Sequence, residues 1–383
     1  MPSRLVFMPP PLAVVVDCMH IGNKKIGPGY PCFIVAELSG NHRGSFEEAV
    51  RLVKAAKEAG ADAVKLQTYT EDTMTLNSDR EWFIVEGKDN PEIWKHRTLY
   101  DLYTKGKTPW EWQPKLKALA DELGIILFSS PFDETAVDFL EKMRVPCYKI
   151  SAYEATDFVL LRKIAQTRKP VIISFGYSSE EEIQFALHTL KGFGAKDIVA
   201  LHCVTGYSDS PRLADMHLSN IEDLRKRFGV VAGFSDNNAG IEIPLMAVAS
   251  GASVIEKHFI LNRSKGGQDA KFSLEPRELK ELISRIRALE TGTEIVSVPK
   301  DALGTPHYGP TNELEAYNKR WRRSLFSGAD IKKGEVFTER NVRDVRPAFG
   351  LETKYYDEVI GKRATCDISF ATPLSWEMIE LTE

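Results

Sequence analysis

Between Phe33 and about Arg287 the chain repeats one unit, a short β-branched or apolar run followed by a longer stretch with apolar residues at helical spacing. Parallel strands need crossover connections of a dozen or more residues, usually helices, so this alternation restricts the fold to an α/β class built on a parallel sheet. The runs are FIVAE from Phe33, AVKLQ from Ala63, IILFSS from Ile125, CYKIS from Cys147, VIISF from Val171, IVALHC from Ile198, VVAGFS from Val230 and SVIEKHF from Ser253. Eight such units, followed by the helical stretch LKELISRIRALE, fit a closed TIM (β/α)8 barrel better than an open doubly wound sheet, which stays the alternative. The segment SFEEAVRLVKAAKEAGA shows the helical half of the unit, with a serine at the N-cap, apolar residues at 3.6 spacing and a glycine near the end.

After Leu289 the rhythm stops. The stretch TGTEIVSVPKDALGTPHYGPTNELEAYNKR carries three prolines and three glycines and reads as a linker crossing the surface. From Trp321 onward short alternating runs and turn residues predict a compact domain of about sixty residues. The expected organisation is an N-terminal leader over 1–32, a barrel over 33–290, a linker over 291–320 and a small domain over 321–383. The apolar start LVFMPPPLAVVV is broken by three prolines and reads as an irregular or β-like leader packed on the body rather than a signal peptide.

A formal charge of -4 gives no global attraction to nucleic acid or to an acidic membrane, so neither is expected as a partner. No run approaches the roughly 20 apolar residues of a membrane helix. Five scattered cysteines without a Cys-x-x-Cys pair suggest reduced thiols and a cytoplasmic location.

In a (β/α)8 barrel the chemistry collects at the C-terminal ends of the strands. Those ends carry Glu37, Lys65 with Gln67, Ser129 with Ser130, Lys149 with Ser151 and Glu154, Ser174, His202 with Thr205, Ser235 with Asp236 and Asn237, and Glu256 with His258. Two lysines at inner strand ends are costly to bury without an anion, and serines are common companions of a phosphate. A ligand bearing phosphate and carboxylate would satisfy both. Glu37, Asp236, Glu256 and His258 are candidate bases or metal ligands, whereas His42 and His202 read as hydrogen-bonded core histidines.

The runs AELSGNHRGSFEEAVRLVKAAKEAGADAVKLQTYTEDTMT, TLYDLYTKGKTPWEW, ILFSSPFDETAVDFLE, PCYKIS, ASVIEKHF and DAKFSLEP resemble the sialic acid synthase superfamily, in particular its pseudaminic acid synthase branch. RRSLFSGADIKKGEVFTERNVRDVRPAFGL resembles the antifreeze-like (SAF) domain of that family. The resemblance implies condensation of phosphoenolpyruvate with the aldehyde of an open-chain 2,4-diacetamido-2,4,6-trideoxy hexose, with water added and phosphate lost by C–O cleavage, giving a nonulosonic acid. It implies phosphoenolpyruvate contacts from Lys65, Lys149, Ser174 and Ser235; Gln67 and Ser129, from their places at the strand ends, are expected in the same substrate site. Glu37 takes the place of an acid/base glutamate, and Glu256, Tyr207 and Asp269 lie around the aldehyde and sugar. Arg346 matches an arginine that one protomer extends into its partner's barrel, which implies a domain-swapped homodimer.

The resemblance also implies a divalent metal, manganese or magnesium, held by two histidines. One of these survives as His258; the other is replaced by Asn237, a weaker donor. Three outcomes stay open: a metal bound with Asn237 as a poor ligand, a metal-free reaction, or a barrel that binds a sugar or phospho-ligand without condensing it. Phe175 and Tyr177 replace smaller or more flexible family residues, and Ser151-Ala152 inverts the common order, so a reshaped phosphoenolpyruvate pocket is expected.

Overall fold

The structure, a computed structural model, describes residues 18–85, 96–205, 211–267 and 269–381. A short antiparallel pair comes first, β1 (Met19–Ile21) and β2 (Lys24–Ile26). Ile21 and Ile26 are fully buried in the main core, and Gly22 lies against Ile126 at the start of a barrel strand. This hairpin covers the N-terminal end of the barrel, so the described part of the leader is β-structured and packed.

Eight parallel strands follow: β3 (Phe33–Glu37), β4 (Ala63–Thr68), β5 (Ile126–Pro131), β6 (Tyr148–Ile150), β7 (Val171–Gly176), β8 (Ile198–Val204), β9 (Val231–Asp236) and β10 (Val254–His258). They form a closed barrel in chain order, because β10 pairs with β3 from Val254↔Phe33 to His258↔Glu37. Closure was the step strand counting left open. Where β9 passes β10, a Cβ on Gly233 would lie 2.5 Å from the Val254 carbonyl oxygen, so only glycine fits.

The helix Phe46–Ala59 illustrates the outer layer. The Ser45 side chain accepts from Glu48 N, Leu52, Val53, Ala56 and Ala59 face the sheet, and Gly60 ends the helix at φ 98°. No helix among the described residues is long and apolar enough to cross a membrane.

The C-terminal part has its own core around Leu325, Ile331, Phe337 and Val359, organised on the antiparallel pair β11 (Ser324–Ser327) and β12 (Val342–Val345). It sits at the C-terminal mouth of the barrel. Trp321, Phe326 and Val345 join Leu76, Phe83, Val85 and Leu99 in one apolar seam. Arg346 N donates to Met74 O at 3.0 Å, and Thr75 Oγ1 donates to Arg346 O at 2.8 Å.

The segment 291–320 is mostly exposed or half-buried, as expected of a linker crossing the surface, but it is anchored to the body at several points. Leu218 N donates to Ala302 O at 2.9 Å, His307 N to Asn220 Oδ1 at 2.8 Å, and Glu315 is fully buried. Proline and glycine report turns; they do not report whether the turns are packed against the body.

Candidate active site

Successive side chains of a strand point to opposite faces, so alternate residues enter the barrel. Glu37, Lys65, Gln67, Ser130, Lys149, Ser151, Ser174, Cys203, Ser235, Asn237, Glu256 and His258 follow this parity and line one cavity of about 650 Å³ at the C-terminal mouth. Asp269 and Arg346 line it from beyond the strands.

At the base of the cavity charges alternate. Lys65 Nζ is paired with Glu37 Oε2 and lies 3.3 Å from Ser130 Oγ and 3.9 Å from Glu256 Oε1. Lys149 Nζ donates to Ser174 Oγ at 2.7 Å and to Ile150 O at 2.9 Å, and is 3.7 Å from the same Glu256 oxygen. Glu256 Oε1 thus stands between two ammonium groups and accepts from Ser235 Oγ at 3.1 Å; its Oε2 is buried without a hydrogen-bond partner. Glu37 Oε1 accepts from Ser39 N and Gln67 Nε2, both at 3.0 Å.

Burial, with the like charge of Glu256, pushes the Glu37 carboxyl up to about 7 against the pull of Lys65. Burial works against the Lys65 ammonium, yet Glu256 and Glu37 outweigh it and hold its pKa above the ordinary value. Lys149 is lowered by burial, with Lys65 adding to the effect. The base of the cavity therefore combines two cations, one carboxyl poised near neutrality and a second carboxylate.

The upper part is less polar. Val85, Leu99, Leu102, Phe132, Tyr153 and Trp321 form much of its wall. The Arg346 guanidinium donates to Glu154 Oε1 from Nε at 2.9 Å and from Nη2 at 2.5 Å, and to Tyr103 Oη at 3.1 Å. It lies 4.8 Å from the Tyr153 ring centre.

Several expectations change. Ser129 faces away from the cavity: its Oγ is 2.6 Å from Thr68 Oγ1, which bonds Gln113, so Ser130 is the inward serine of β5. Asp236 also faces outward and pairs with Lys257 Nζ at 2.6 Å, which removes it as a base or ligand. Phe175 and Tyr177 lie outside the cavity lining, so they do not narrow the pocket; Tyr177 packs on Tyr153 and under Arg322. Arg346 lies on the lining of its own chain's barrel mouth, and the exchange between protomers that the resemblance implies concerns a second chain. Tyr207 lies outside the described residues. His42 and His202 behave as core histidines, bonded to Thr108 Oγ1 at 3.0 Å and to Met216 O at 2.7 Å.

Sequence reasoning missed Leu314, Asn318 and Trp321, which reach the cavity from the linker and its end. The apolar residues of ELEAYNKRW carried the available signal, but four-residue periodicity in so short a stretch does not identify a buried face.

For a metal, the donors are few. Among the described residues no three His, Cys, Asp or Glu side chains converge as a cation site. His258 Nδ1 is buried without a hydrogen-bond partner, 3.7 Å from Asp269 Oδ2. The Asn237 amide nitrogen is spent on Val204 O at 3.3 Å and Cys203 Sγ at 3.2 Å, leaving Oδ1 as its free donor atom. One imidazole and one amide oxygen on the same cavity fit a weakly held divalent cation completed by substrate oxygens and water.

Comparison with known proteins agrees with this geometry. The NeuB family matches residues 52–295, and a SAF domain matches residues 322–380. A pseudaminic acid synthase of Campylobacter jejuni is 43% identical over 360 residues, 93% of this chain and 98% of that protein. One from Helicobacter pylori is 40% identical over 91% of this chain and 98% of that protein. The crystal structure of the spore coat polysaccharide biosynthesis protein SpsE from Bacillus subtilis superposes with a TM-score of 0.81 at 32% identity, covering 96% of this chain and all of that one.

Proposed function

Because the chain belongs to the NeuB family, we propose that it condenses phosphoenolpyruvate with an amino-sugar aldehyde and water, releasing phosphate and a nonulosonic acid. The observation that carries this reading is the pairing of Lys65 and Lys149 around Glu256 Oε1, with serine hydroxyls on both lysines, at the closed end of the cavity. Such a cradle suits a small ligand carrying both phosphate and carboxylate.

In the proposed sequence the lysines with Ser130, Ser174 and Ser235 hold phosphoenolpyruvate, while Arg346, Gln67 and Asp269 help orient the open-chain sugar. The C2=C3 electron pair of phosphoenolpyruvate forms the new bond to the aldehyde carbon, and Glu37, protonated to a large extent near neutrality, supplies the proton taken up by the aldehyde oxygen. Water then adds to C2 and loses its proton to Glu256, whose Oε2 is otherwise unpartnered. The resulting adduct carries hydroxyl and phosphate on C2; its C–O bond to phosphate breaks as the hydroxyl oxygen forms the C2 carbonyl, and the hydroxyl proton leaves with the phosphate. Orientation of the two substrates in one cavity supplies much of the rate, since it converts an encounter into a positioned reaction.

A divalent cation, manganese or magnesium, would be held by His258 and Asn237 and would supply polarisation of the aldehyde carbonyl. For the sugar, the proposal is a 2,4-diacetamido-2,4,6-trideoxy hexose. The apolar upper wall supports a substrate rich in methyl groups, and the most similar relatives named above are pseudaminic acid synthases. A homodimer is proposed in which two chains exchange their small domains while keeping the Arg346–Glu154 contact between them; sedimentation at two concentrations measures it.

The test is phosphate release from phosphoenolpyruvate with the amino sugar, run with manganese and again with EDTA. Release in either condition supports the synthase. None in both rejects it and leaves a barrel that binds its ligands without joining them.

A further inference from the structure

We propose that Glu315, in the linker, is a positioning residue that fixes the end of β8 and through it the seat of the second substrate. The proposal rests on the synthase reading of the same cavity.

Glu315 lies on the short helix Glu313–Asn318 and is fully buried. Its carboxylate forms no ion pair with any described residue within 4.0 Å; four donors hold it instead. Oε1 accepts from Thr205 N at 2.6 Å and Thr205 Oγ1 at 3.0 Å, and Oε2 accepts from Thr311 N and Thr311 Oγ1, both at 2.8 Å. Burying a carboxylate without a counter-charge is costly, and hydrogen bonds from such donors are what make it tolerable. The same helix contributes Asn318, whose Nδ2 donates to Thr205 O at 3.3 Å. All three polar groups of Thr205 are therefore held by one element of the linker.

Thr205 follows directly on β8 and lines the cavity. Its methyl group packs against β7 so tightly that a Cβ on Gly176 would lie 2.5 Å from it. The strand register sets its height: Ser174 is opposite Leu201 and Ser235 opposite Cys203, so Thr205 stands beyond both serines, toward the mouth. The lysines and serines of the phosphoenolpyruvate cradle lie below it. A shift of Thr205 should disturb the outer substrate, the sugar aldehyde, more than the inner one.

The side chain of Glu315 is absent from the cavity lining, so its effect passes through Thr205. Glu315→Gln keeps one acceptor oxygen but turns an amide NH2 toward one of the two threonines. The expected result is a rise of about tenfold in KM for the amino sugar with KM for phosphoenolpyruvate within about twofold, and faster hydrogen exchange at the Thr205 amide. Equal losses for both substrates, or unchanged sugar KM, would overturn the proposal. If Glu315→Gln does not fold, Thr311→Val, which lies outside the cavity and removes one donor to Oε2, should show the same selective effect in smaller measure; its absence overturns the proposal equally. A wild-type chain that releases no phosphate would instead sink the synthase reading, and calorimetry with the amino sugar then decides: weaker binding by Glu315→Gln supports positioning, and equal binding refutes it.

Discussion

Arg346 of the C-terminal domain and Glu154 of the barrel form a buried, two-pronged ion pair, with Arg346 Nε 2.9 Å and Nη2 2.5 Å from the same Glu154 oxygen. Glu154 is fully buried, and Arg323 stands 3.6 Å from that oxygen as a second cation. The pair joins two roles, since it docks the small domain and leaves the Arg346 guanidinium on the cavity wall.

Removing one partner of such a pair strands the other in a low-dielectric site. Arg346→Ala is expected to cost about 3 kcal/mol or more, read by chemical denaturation. Arg323 softens but does not cancel the loss. The double variant Arg346→Met with Glu154→Gln should recover much of the stability while remaining poor at using the sugar. Recovery of sugar use as well would show that the guanidinium does not touch substrate.

The cradle at the base gives a second prediction. Lys149→Met removes an ammonium that donates to Ser174 Oγ and lies 3.7 Å from Glu256 Oε1. kcat/KM for phosphoenolpyruvate is expected to fall about a hundredfold, near 2.7 kcal/mol of lost transition-state stabilisation, in a steady-state phosphate assay.

Glu37 makes the site sensitive to pH. Its carboxyl titrates at about 7 rather than 4.5, because burial and Glu256 disfavour the anion more than Lys65 favours it. As the proton donor it is active when protonated, so kcat/KM should decline as pH rises through about 7. Glu37→Gln should abolish most activity together with that limb. Linkage adds a stability effect of the same sign: the contribution of neutral Glu37 is complete below its unfolded value near 4.5 and is lost as pH rises through about 7. Denaturation at pH 5 and pH 8 should therefore favour Glu37→Gln over wild type more at pH 8.

The barrel was legible because eight β-branched runs at crossover spacing admit few folds, and the inward lysines and glutamates were legible because strand ends are where such groups collect. Adjacent residues were harder to separate. Ser129 and Ser130 are chemically identical, and only the hydrogen bond between Ser129 and Thr68, away from the cavity, tells them apart. Asp236 has the chemistry of a ligand, but its buried ion pair with Lys257 is invisible in the order of residues. Glu315 left no trace, since a carboxylate in a proline-rich stretch reads as solvated until its four donors are known. The two serines supply a direct check: Ser130→Ala should lower kcat/KM about tenfold by removing a partner of Lys65, while Ser129→Ala should leave kinetics near wild type, both read in the same assay.

The last prediction concerns Asn237. Its amide nitrogen is bound to Val204 O and Cys203 Sγ, so the side chain presents a neutral carbonyl oxygen toward the cavity that it shares with His258. An amide oxygen is a poor donor for a transition metal beside imidazole. Asn237→His should therefore raise affinity for manganese, measured by calorimetry on the substrate-free protein. Burial, and after it the charges of Lys65, Lys257 and Lys149, hold His258 well below its ordinary pKa and so keep the imidazole neutral, but the same lysine charges repel a dication. The gain should consequently grow when phosphoenolpyruvate is present, because its negative charges offset the lysines. Equal manganese binding by Asn237→His and wild type, with and without phosphoenolpyruvate, would reject Asn237 as a position that faces the metal.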